Sequence, residues 1–401
     1  MSAKNSERVL FITREYPWPT HTGALQYSAM LLRALAQQTS SLHVLCSESC
    51  VQSEVDDMDE LNDVIFHQFQ EESLDWKKQC FTNLPQATLR KLSASGVGKL
   101  QQLLEQQWSL IVVDHIASAW SYPLLCQYRK QTQQLLYCTH NEEFSTRLSI
   151  AASEQFIKAP MHLIDACRAK GADAHMFELA DAVTCISSND MSAYQRYRFA
   201  QQTPLHLLSP IYTDVPCHQR IVTPKTPRIV CLLGSFIWSA KKRNLLLFLQ
   251  ACTPLFTKHA IQIKIIGNMR QEFREKLQRR WPEVHFTGSV NNIASYLNDV
   301  RLAVIPEQAG GGFKLKSLEY VFQRLPIFAL KQGLVDLPLE EQHSVQLYAD
   351  LPSLAKGIVQ CIDDDMLLNN MQQRAFDACT AFIGMEAMVQ KLEEVVYASR
   401  M

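Results

Sequence analysis

A glycine-rich stretch, residues 306–319, combines residue types that can bind a phosphate group. It lies between an apolar run, residues 301–305, which predicts a buried strand, and an amphipathic run, which predicts a helix. Unpaired backbone N–H groups and the helix dipole favour an anion at such a helix start, and glycines let the anion approach the backbone closely. The stretch therefore predicts an anion site, although a glycine-rich loop with solvated lysines has the same composition.

Three charged side chains define the chemistry of this predicted site. Lys316 and Lys314 would offset the charge of a diphosphate, and they would also stabilise a nucleoside diphosphate as it leaves. Glu319 lies three residues after Lys316, so both project from one helix face. Its carboxylate can accept hydrogen bonds from two neighbouring hydroxyls, as on a ribose. The alternatives are a solvated basic face and an ordinary helix carboxylate.

Composition and charge limit what the rest of the chain can do. The 401 residues suggest two or three domains, and 47% hydrophobic with 20% charged residues is typical of a globular protein with filled cores. A net charge of −1 creates no global field that would attract nucleic acid or an acidic membrane. Any anion site must therefore be local.

The cysteines and the N-terminus indicate a cytoplasmic protein. Twelve cysteines are scattered, without a Cys-x-x-Cys pair, which disfavours a zinc or thioredoxin site. Several lie in apolar runs, as buried reduced thiols do in a reducing compartment. The polar N-terminus has no apolar signal-peptide core, and no apolar window approaches the roughly 18 residues of a spanning helix.

Strand and helix patterns alternate twice along the chain. Apolar runs without polar alternation predict parallel strands covered on both faces, beginning with residues 8–13 and 228–233. Residues 51–95 are polar and predict irregular structure. Five prolines between residues 203 and 227 indicate a boundary, after which the pattern restarts. The sequence therefore predicts two doubly wound α/β domains, each with ligands at the carboxyl ends of its strands.

Six short motifs occur in order along the chain: Thr22-Gly23, His140-Asn141-x-Glu143, residues 180–187, 234–238, 286–288 and 310–319. Their order and spacing, over nearly the whole chain, resemble those of the GT-B glycosyltransferases. The resemblance is in particular to the retaining branch that uses nucleotide sugars (family 4-like, "glycosyl transferases group 1").

The resemblance implies a GT-B fold, with two Rossmann-like domains that face each other across a cleft. It implies an acceptor-binding domain over residues 1–208, a nucleotide-sugar-binding domain over 225–384 and a C-terminal helix, 385–401, that crosses back to the first domain. The implied reaction moves a sugar from a nucleoside diphosphate to an unknown acceptor, with retention. The donor is a co-substrate, no cofactor or metal is expected, and no nucleic acid partner. The acceptor could be a glycan, a lipid-linked molecule or a small molecule, and peripheral membrane contact is possible.

The resemblance also assigns site residues. His140 and Lys316 are the implied catalytic residues, although His140 could instead cap the following helix. Lys241, Lys242 and Arg243 begin a helix, where an anion would explain them, but a charged loop would too. The implied donor-binding residues are Gly234, Ser235, Lys242, Arg243, Gly310, Gly311, Gly312, Phe313, Lys314 and Glu319. The implied acceptor-binding residues are Tyr16, Thr22, Gly23, Asn141 and Glu143.

One departure from the family pattern concerns the donor sugar. The family has a glutamate eight positions before Glu319, where this chain has Gly311, and Glu307 stands four positions too early. The chain here resembles a variant with a triple-glycine loop and a lysine three residues before the retained glutamate. Two alternatives follow from the departure: a nucleotide-sugar epimerase of the same fold, and a non-catalytic sugar-nucleotide-binding protein.

An acidic run, residues 363–365, resembles a metal-binding cluster. It lies between two predicted C-terminal helices and away from any predicted strand end. Because carboxylates favour a helix N-terminus, the run predicts a helix start rather than a metal site.

Overall fold

The computed structural model describes residues 5–20, 22–48, 61, 63–73, 81–130, 133–153, 159–290, 292–308 and 312–398. Gly310 and Gly311 of the predicted phosphate loop lie outside these residues. Backbone contacts divide the chain into two compact units, and the first is formed by two separate segments. Unit 1 comprises Met1–Ile211 and Gly384–Met401, and unit 2 comprises Tyr212–Ile383.

Unit 1 is built on a seven-stranded sheet in the order β3-β2-β1-β4-β5-β6-β7, with every neighbouring pair parallel. Its strands are β1 (Asn5–Glu15), β2 (Thr39–Ser47), β3 (Val64–Phe69), β4 (Leu110–Asp114), β5 (Gln134–Cys138), β6 (Ala182–Cys185) and β7 (Leu205–Leu207). The α-helices in the first segment of unit 1 are α1 (Gly23–Gln38), α2 (Gln86–Leu89), α3 (Ala94–Leu104), α4 (Tyr122–Tyr128), α5 (Glu143–Ser153), α6 (Ala159–Leu179) and α7 (Ser188–Tyr194).

Unit 2 is built on a six-stranded parallel sheet in the order β10-β9-β8-β11-β12-β13. Its strands are β8 (Ile229–Leu233), β9 (Gln262–Ile266), β10 (His285–Gly288), β11 (Leu302–Ile305), β12 (Ile327–Leu330) and β13 (Gln346–Tyr348). Its helices are α8 (Ser239–Lys258), α9 (Gln271–Arg280), α10 (Ile293–Leu297), α11 (Leu315–Phe322), α12 (Leu351–Cys361) and α13 (Asp365–Ala378).

The strand order reverses direction once in each sheet. The reversal falls between β1 and β4 in unit 1 and between β8 and β11 in unit 2. Helices on the two sides of a doubly wound sheet diverge at that point and leave a crevice at the carboxyl ends of the strands. Residues 9–12 of β1, 110–113 of β4, and all of β8 and β11 are apolar and buried, so chemistry is confined to the ends of these strands and to the residues that follow them.

The last helix, α14 (Met385–Ala398), belongs to unit 1. It packs on α1, where its Met388, Leu392 and Val395 are buried. The side-chain amide of Gln38 donates to the carbonyl oxygen of Val389 at 2.7 Å. The chain thus completes its first unit with its last helix.

The prediction that residues 51–95 are irregular is wrong for part of that range. Residues 64–69 form β3, parallel to β2, and residues 86–89 and 94–104 are helical. β3 is an edge strand whose side chains are mostly half-exposed, so its sequence lacks the continuous apolar run of a central strand.

The prediction that the acidic run, residues 363–365, marks a helix start is confirmed. Asp364 caps α13 by accepting the N–H of Leu367 at 2.9 Å.

Candidate active site

The crevice of unit 2 is fixed by a buried tyrosine on α11. The hydroxyl of Tyr320 accepts the N–H of Leu233 at 2.7 Å and donates to the carbonyl oxygen of Val304 at 3.4 Å. These two groups belong to β8 and β11, the strands between which the order reverses. The side chain therefore holds the first turn of α11 at the carboxyl ends of both strands.

Lys316 projects from that first turn into the crevice. Its ammonium forms an ion pair with Glu307, which follows β11, and donates to the carbonyl oxygen of Leu233 at 3.4 Å. The second carboxylate oxygen of Glu307 is buried and has no hydrogen-bond partner among the described residues. One face of this carboxylate therefore holds the lysine, and the other has free capacity to accept hydrogen bonds.

A second lysine, Lys241 in the first turn of α8, faces the same ion pair. Desolvation and the charge of Lys316 lower its pKa, while Glu307 partly opposes the shift. Lys241 is exposed on the surface, so solvent moderates this shift. Lys241, Lys316 and Glu307 together carry one net positive charge at the start of two helices, which is an environment suited to an anion.

Glu319 lies one turn further along α11. Burial, and secondarily the charge of Asp214, raise the pKa of its carboxyl to about 7, while a hydrogen bond with the hydroxyl of Tyr212 opposes the shift. The amide of Gln323 donates to the same Tyr212 hydroxyl at 2.9 Å. Glu319 is therefore a half-buried acceptor whose charge changes near neutral pH.

One glycine before α11 is required by its backbone conformation. Gly312 has a φ of +71°, a backbone conformation that side chains disfavour. Phe313 is buried, and Lys314 is the N-cap of α11, with its ammonium donating to the carbonyl oxygen of Gly312 at 3.4 Å.

The loop after β8 is approached closely by a glycine that follows β9. Gly234 follows β8, and its carbonyl oxygen would lie 1.8 Å from a Cβ added to Gly267, which follows β9. Ser235 is half-buried beside it. Unlike Lys241, Lys242 lies beside Phe273 rather than the Lys316–Glu307 ion pair. Its ammonium is 5.3 Å from the centre of the Phe273 ring. Arg243 is exposed on α8.

In unit 1 a buried carboxylate organises the strand ends. Asp114 ends β4 and is fully buried. Its Oδ2 accepts the hydroxyls of Thr13 at 2.8 Å and Ser28 at 2.6 Å, and its Oδ1 lies 2.6 Å from Nε2 of His140. Burial raises its pKa, but His140 and the two hydroxyls outweigh that and hold the pKa below its ordinary value.

His140 follows β5, as predicted, but its ring is enclosed. Its side chain is only 2% exposed, and it contacts the ring of Tyr27 edge-on, at 5.0 Å between ring centres. It links β5 to Asp114 on the neighbouring strand. Its implied catalytic role remains a prediction.

His115 immediately follows Asp114 and has a strained backbone. Its φ of +69° and ψ of 144° lie in a region that residues other than glycine rarely adopt, at a cost of about 1–3 kcal/mol. Its Nδ1 accepts the N–H of Ala117 at 2.9 Å, and its ring packs edge-on against His140 at 4.8 Å. Strain of this kind is retained where the surrounding structure imposes it, and it concentrates at functional sites.

The predicted acceptor-binding residues lie at the same edge of unit 1. Thr22 caps α1 by accepting the N–H of Leu25 at 3.3 Å, and Gly23 is the first residue of that helix. Tyr16 packs edge-on against Trp18 and Phe66. The two remaining residues serve local structure as well: the Asn141 carbonyl oxygen accepts the hydroxyl of Tyr194, and Glu143 pairs with Arg147 at 3.0 Å.

The sequence patterns did not identify Asp114 or His115 as site residues. They drew attention to Lys241 and Glu307 but assigned neither of them to the site. Asp114 becomes recognisable only once the register pairs Ile12 with Val113 and so places Thr13 beside it. The strained backbone of His115 leaves no mark in the sequence.

No group of three or more His, Cys, Asp or Glu side chains that could hold a metal ion occurs among the described residues. Metal independence stays a prediction on this evidence. In the same part of the chain, no helix is long and apolar enough to cross a membrane.

A family model and solved structures are similar to this chain. Residues 227–364, in unit 2, match the model "Glycosyl transferases group 1". HepE of Anabaena in complex with UDP-glucose is 14% identical, with a TM-score of 0.66 over 97% of this chain and 99% of that one. Sucrose-phosphate synthase from Thermosynechococcus elongatus is 16% identical, with a TM-score of 0.67 over 98% of both chains.

A third solved structure is the apo form of the lipopolysaccharide outer core galactosyltransferase WaaB. It is 13% identical, with a TM-score of 0.58 over 98% of this chain and 99% of that one. No curated protein matches the chain in sequence. Together these matches confirm the predicted resemblance, the two-domain α/β fold of GT-B type and, through the family model, the assignment to transferase enzymes.

Proposed function

We propose that this glycosyltransferase of GT-B fold moves a sugar from a nucleoside diphosphate, bound by unit 2, to a hydroxyl group of an acceptor bound by unit 1. The observation that carries the proposal is the arrangement of Lys316 and Lys241 around Glu307, at the carboxyl ends of β8 and β11. Two lysines at two helix starts suit a diphosphate better than any uncharged ligand.

UDP is the nucleotide we favour, because the structurally similar HepE was crystallised with UDP-glucose. In the proposed complex the carboxylate of Glu319 accepts hydrogen bonds from the ribose hydroxyls. Lys316 and Lys241 contact the phosphate oxygens, and Lys314 and the backbone of Gly312 complete the site.

The proposed catalytic contribution of Lys316 is electrostatic. When the bond between the sugar and the diphosphate breaks, negative charge grows on the leaving oxygen, and a fixed ammonium stabilises that charge. Glu307 holds the lysine in place before the donor binds. The acceptor hydroxyl forms the new bond to the anomeric carbon and gives its proton to the leaving diphosphate oxygen, and, as the resemblance implies, the configuration is retained.

A screen of nucleotide sugars by thermal shift tests this proposal. The ligands are UDP-, GDP-, ADP- and TDP-sugars, each compared with the free sugar. A ligand at a hundredfold excess over its dissociation constant should stabilise the chain by roughly 2.7 kcal/mol. We expect a UDP-sugar to give the largest shift. If no nucleotide sugar raises the melting temperature, the proposed function is wrong.

We propose that neither a metal nor a cofactor takes part, since Lys316, Lys241 and the helix starts supply the positive charge. Transferase activity should therefore be unchanged after dialysis against EDTA, and added magnesium or manganese should not raise it. Measuring UDP release with and without EDTA checks this. Activity that disappears in EDTA and returns with manganese would contradict the assignment.

Donor affinity should increase with pH through about 7, because the pKa of Glu319 is about 7 and its carboxylate is the form that accepts both ribose hydroxyls. Below that pH, affinity should fall up to about tenfold per unit. Titration calorimetry with UDP-glucose at several pH values measures it; UDP itself is unsuitable because its terminal phosphate titrates nearby. The variant Glu319→Gln should bind weakly and independently of pH. An equal pH dependence in both proteins would contradict this role.

We propose a cytoplasmic location. The described cysteines are free, and several are buried in the sheets, such as Cys46, Cys138 and Cys231, where burial raises the thiol pKa. Unreactive reduced thiols suit a reducing compartment.

A further inference from the structure

Asp173 is a carboxyl group in the interior of unit 1, on α6, with only 1% of its surface exposed. Its Oδ1 accepts the hydroxyl of Tyr137 on β5 at 2.7 Å, and its Oδ2 lies 3.0 Å from the hydroxyl oxygen of Tyr194 on α7. Both of these partners are uncharged and fully buried. A buried carboxylate is costly when its hydrogen-bond partners carry no charge, so the protonation state of Asp173 matters to the fold.

The hydroxyl of Tyr194 lies between two oxygen atoms. It is 3.0 Å from Oδ2 of Asp173 and 3.0 Å from the carbonyl oxygen of Asn141. A hydroxyl group carries one proton, and a backbone carbonyl oxygen can only accept. An ionised Asp173 would compete with Asn141 for that single proton. With a proton on Oδ2, Asp173 donates to Tyr194 and Tyr194 donates to Asn141, so only the protonated carboxyl satisfies both contacts.

The electrostatic surroundings also favour this proton. The pKa of the Asp173 carboxyl is raised to about 8, first by burial and then by the carboxylates of Glu143 and Glu142, while the two tyrosine hydroxyls oppose the shift. The positive charge of Arg147 reaches Asp173 from α5, but Arg147 pairs with Glu143 at 3.0 Å and also with Asp165. The ionisable groups that face Asp173 are Tyr137 on β5, Glu143 and Arg147 on α5, Glu142 before α5, Cys185 on β6, Tyr194 on α7 and Tyr197 after α7.

The tyrosine hydroxyl on α7 holds a segment that the proposed function needs. Residues 139–142, the β5–α5 segment, connect β5 to α5 and include His140 and Asn141. Nε2 of His140 lies 2.6 Å from the carboxylate of Asp114, and the N–H of Glu142 donates to a carboxylate on α7 at 2.7 Å. Asn141 lies between these two anchors, and its carbonyl oxygen is held by the tyrosine hydroxyl. The position of the segment therefore depends on where the proton of that hydroxyl points.

We propose that Asp173 is a positioning residue whose carboxyl proton keeps Tyr194 bonded to Asn141 and so fixes the β5–α5 segment on the acceptor side of the site. This rests on the proposed function for the role of the segment, whereas the proton concerns unit 1 alone. When Asp173 gives its proton to solvent, the hydroxyl of Tyr194 turns to the carboxylate, and the carbonyl oxygen of Asn141 loses its donor. The segment then loosens beside His140, and activity falls in alkaline solution.

Asp173→Asn separates the proton from the shape of the side chain. Its oxygen accepts the hydroxyl of Tyr137 and its NH₂ group donates to Tyr194, so it imitates the protonated acid at every pH. An unfolded aspartate has a pKa of about 3.9. Because the native pKa is about 8, the native wild type holds a proton between these values that the unfolded chain has lost, and its stability must fall as the pH rises.

Urea denaturation of both full chains over a pH series measures this difference. Relative to Asp173→Asn, the unfolding equilibrium constant of the wild type should rise by up to about tenfold per pH unit from roughly pH 5 to pH 8 and then level off. The same pH dependence in both proteins would overturn the proposal. An Asp173→Asn chain that fails to fold would overturn it as well, because asparagine supplies both hydrogen bonds.

Hydrogen exchange of the full chain without any ligand reports on the β5–α5 segment itself. At about pH 9 roughly ten chains are ionised at Asp173 for each protonated one, so the amides of the segment should be less protected than at pH 7 after correction for the intrinsic rate. In Asp173→Asn the protection should be the same at both pH values. Tyr194→Phe should lose it even at pH 7, whereas the matched control Tyr137→Phe, which leaves the Asn141 bond intact, should keep it. Equal protection in wild type and Tyr194→Phe at pH 7 would contradict the proposal.

The pH profile of UDP release from UDP-glucose connects the proton to the reaction. In the wild type the rate should decrease above about pH 8, by up to tenfold per unit, and in Asp173→Asn this decrease should be absent. Profiles that decrease together would show that Asp173 does not position the segment for the reaction. A chain that binds no nucleotide sugar would refute the proposed function, and the denaturation and exchange experiments would still decide on the proton, because neither contains a ligand.

Discussion

Replacing Lys316 with alanine is expected to lower the turnover number by about a hundredfold or more, as the loss of one preorganised donor at an oxyanion site does. The lysine lies at the start of α11 in an ion pair with Glu307, where a leaving diphosphate would gain charge. Steady-state kinetics with UDP-glucose should show the loss mainly in the turnover number, since the charge it stabilises develops during the reaction.

Two companion variants make the Lys316 result interpretable. Lys258→Ala removes an exposed lysine from the far end of α8 and should leave activity unchanged. Lys316→Ala combined with Glu307→Gln removes the carboxylate that the first change leaves unpaired, so it distinguishes the loss of catalysis from the cost of an isolated charge. If Lys316→Ala retained its turnover, the loop would have a structural role, and the non-catalytic interpretation would replace the enzymatic one.

Replacing Asp114 with alanine is expected to destabilise the chain by roughly 3–5 kcal/mol, because three buried groups would lose their acceptor at a cost of about 1–3 kcal/mol each. The fully buried carboxylate accepts from Thr13, Ser28 and His140, which would lose their common acceptor. Unit 1 should therefore melt at a lower temperature, as measured by circular dichroism.

Glu48→Ala is the matched control for Asp114→Ala, because it removes an exposed carboxylate that follows β2 in the same unit. A surface change of that kind should stay within about 0.5 kcal/mol. If the Asp114→Ala and Glu48→Ala proteins had the same melting temperature, the hydrogen bonds to the Asp114 carboxylate would contribute nothing to stability.

The central strands could be predicted from sequence because they are covered on both faces. The apolar run before Asp114 and the run over residues 229–233 are fully buried, and burial on two faces demands uninterrupted apolar residues. The edge strand β3 is half-exposed, so it needs no uninterrupted apolar run, and the sequence did not predict it. Three-residue strands such as β7 and β13 are too short to show any periodicity.

The candidate site was predictable where a local motif carries it and not where it depends on register or backbone conformation. Lys316 and Glu319 share one helix, so their spacing alone indicates that they act together. The contact of Glu307 with Lys316 requires the loop between them to fold back, and the position of Asp114 requires the pairing of β1 with β4. The strain at His115 is a property of φ and ψ, which no residue type except glycine and proline specifies.

The return of α14 to α1 has a consequence for biosynthesis. Domains generally fold as units during translation, the N-terminal one first. Here residues 212–383 form a contiguous unit, whereas the first unit needs the side chains of Met388, Leu392 and Val395 to cover α1. The first domain to be synthesised is therefore the last that can be completed, and a premature stop codon after residue 383 would damage the domain that begins the chain while leaving unit 2 whole.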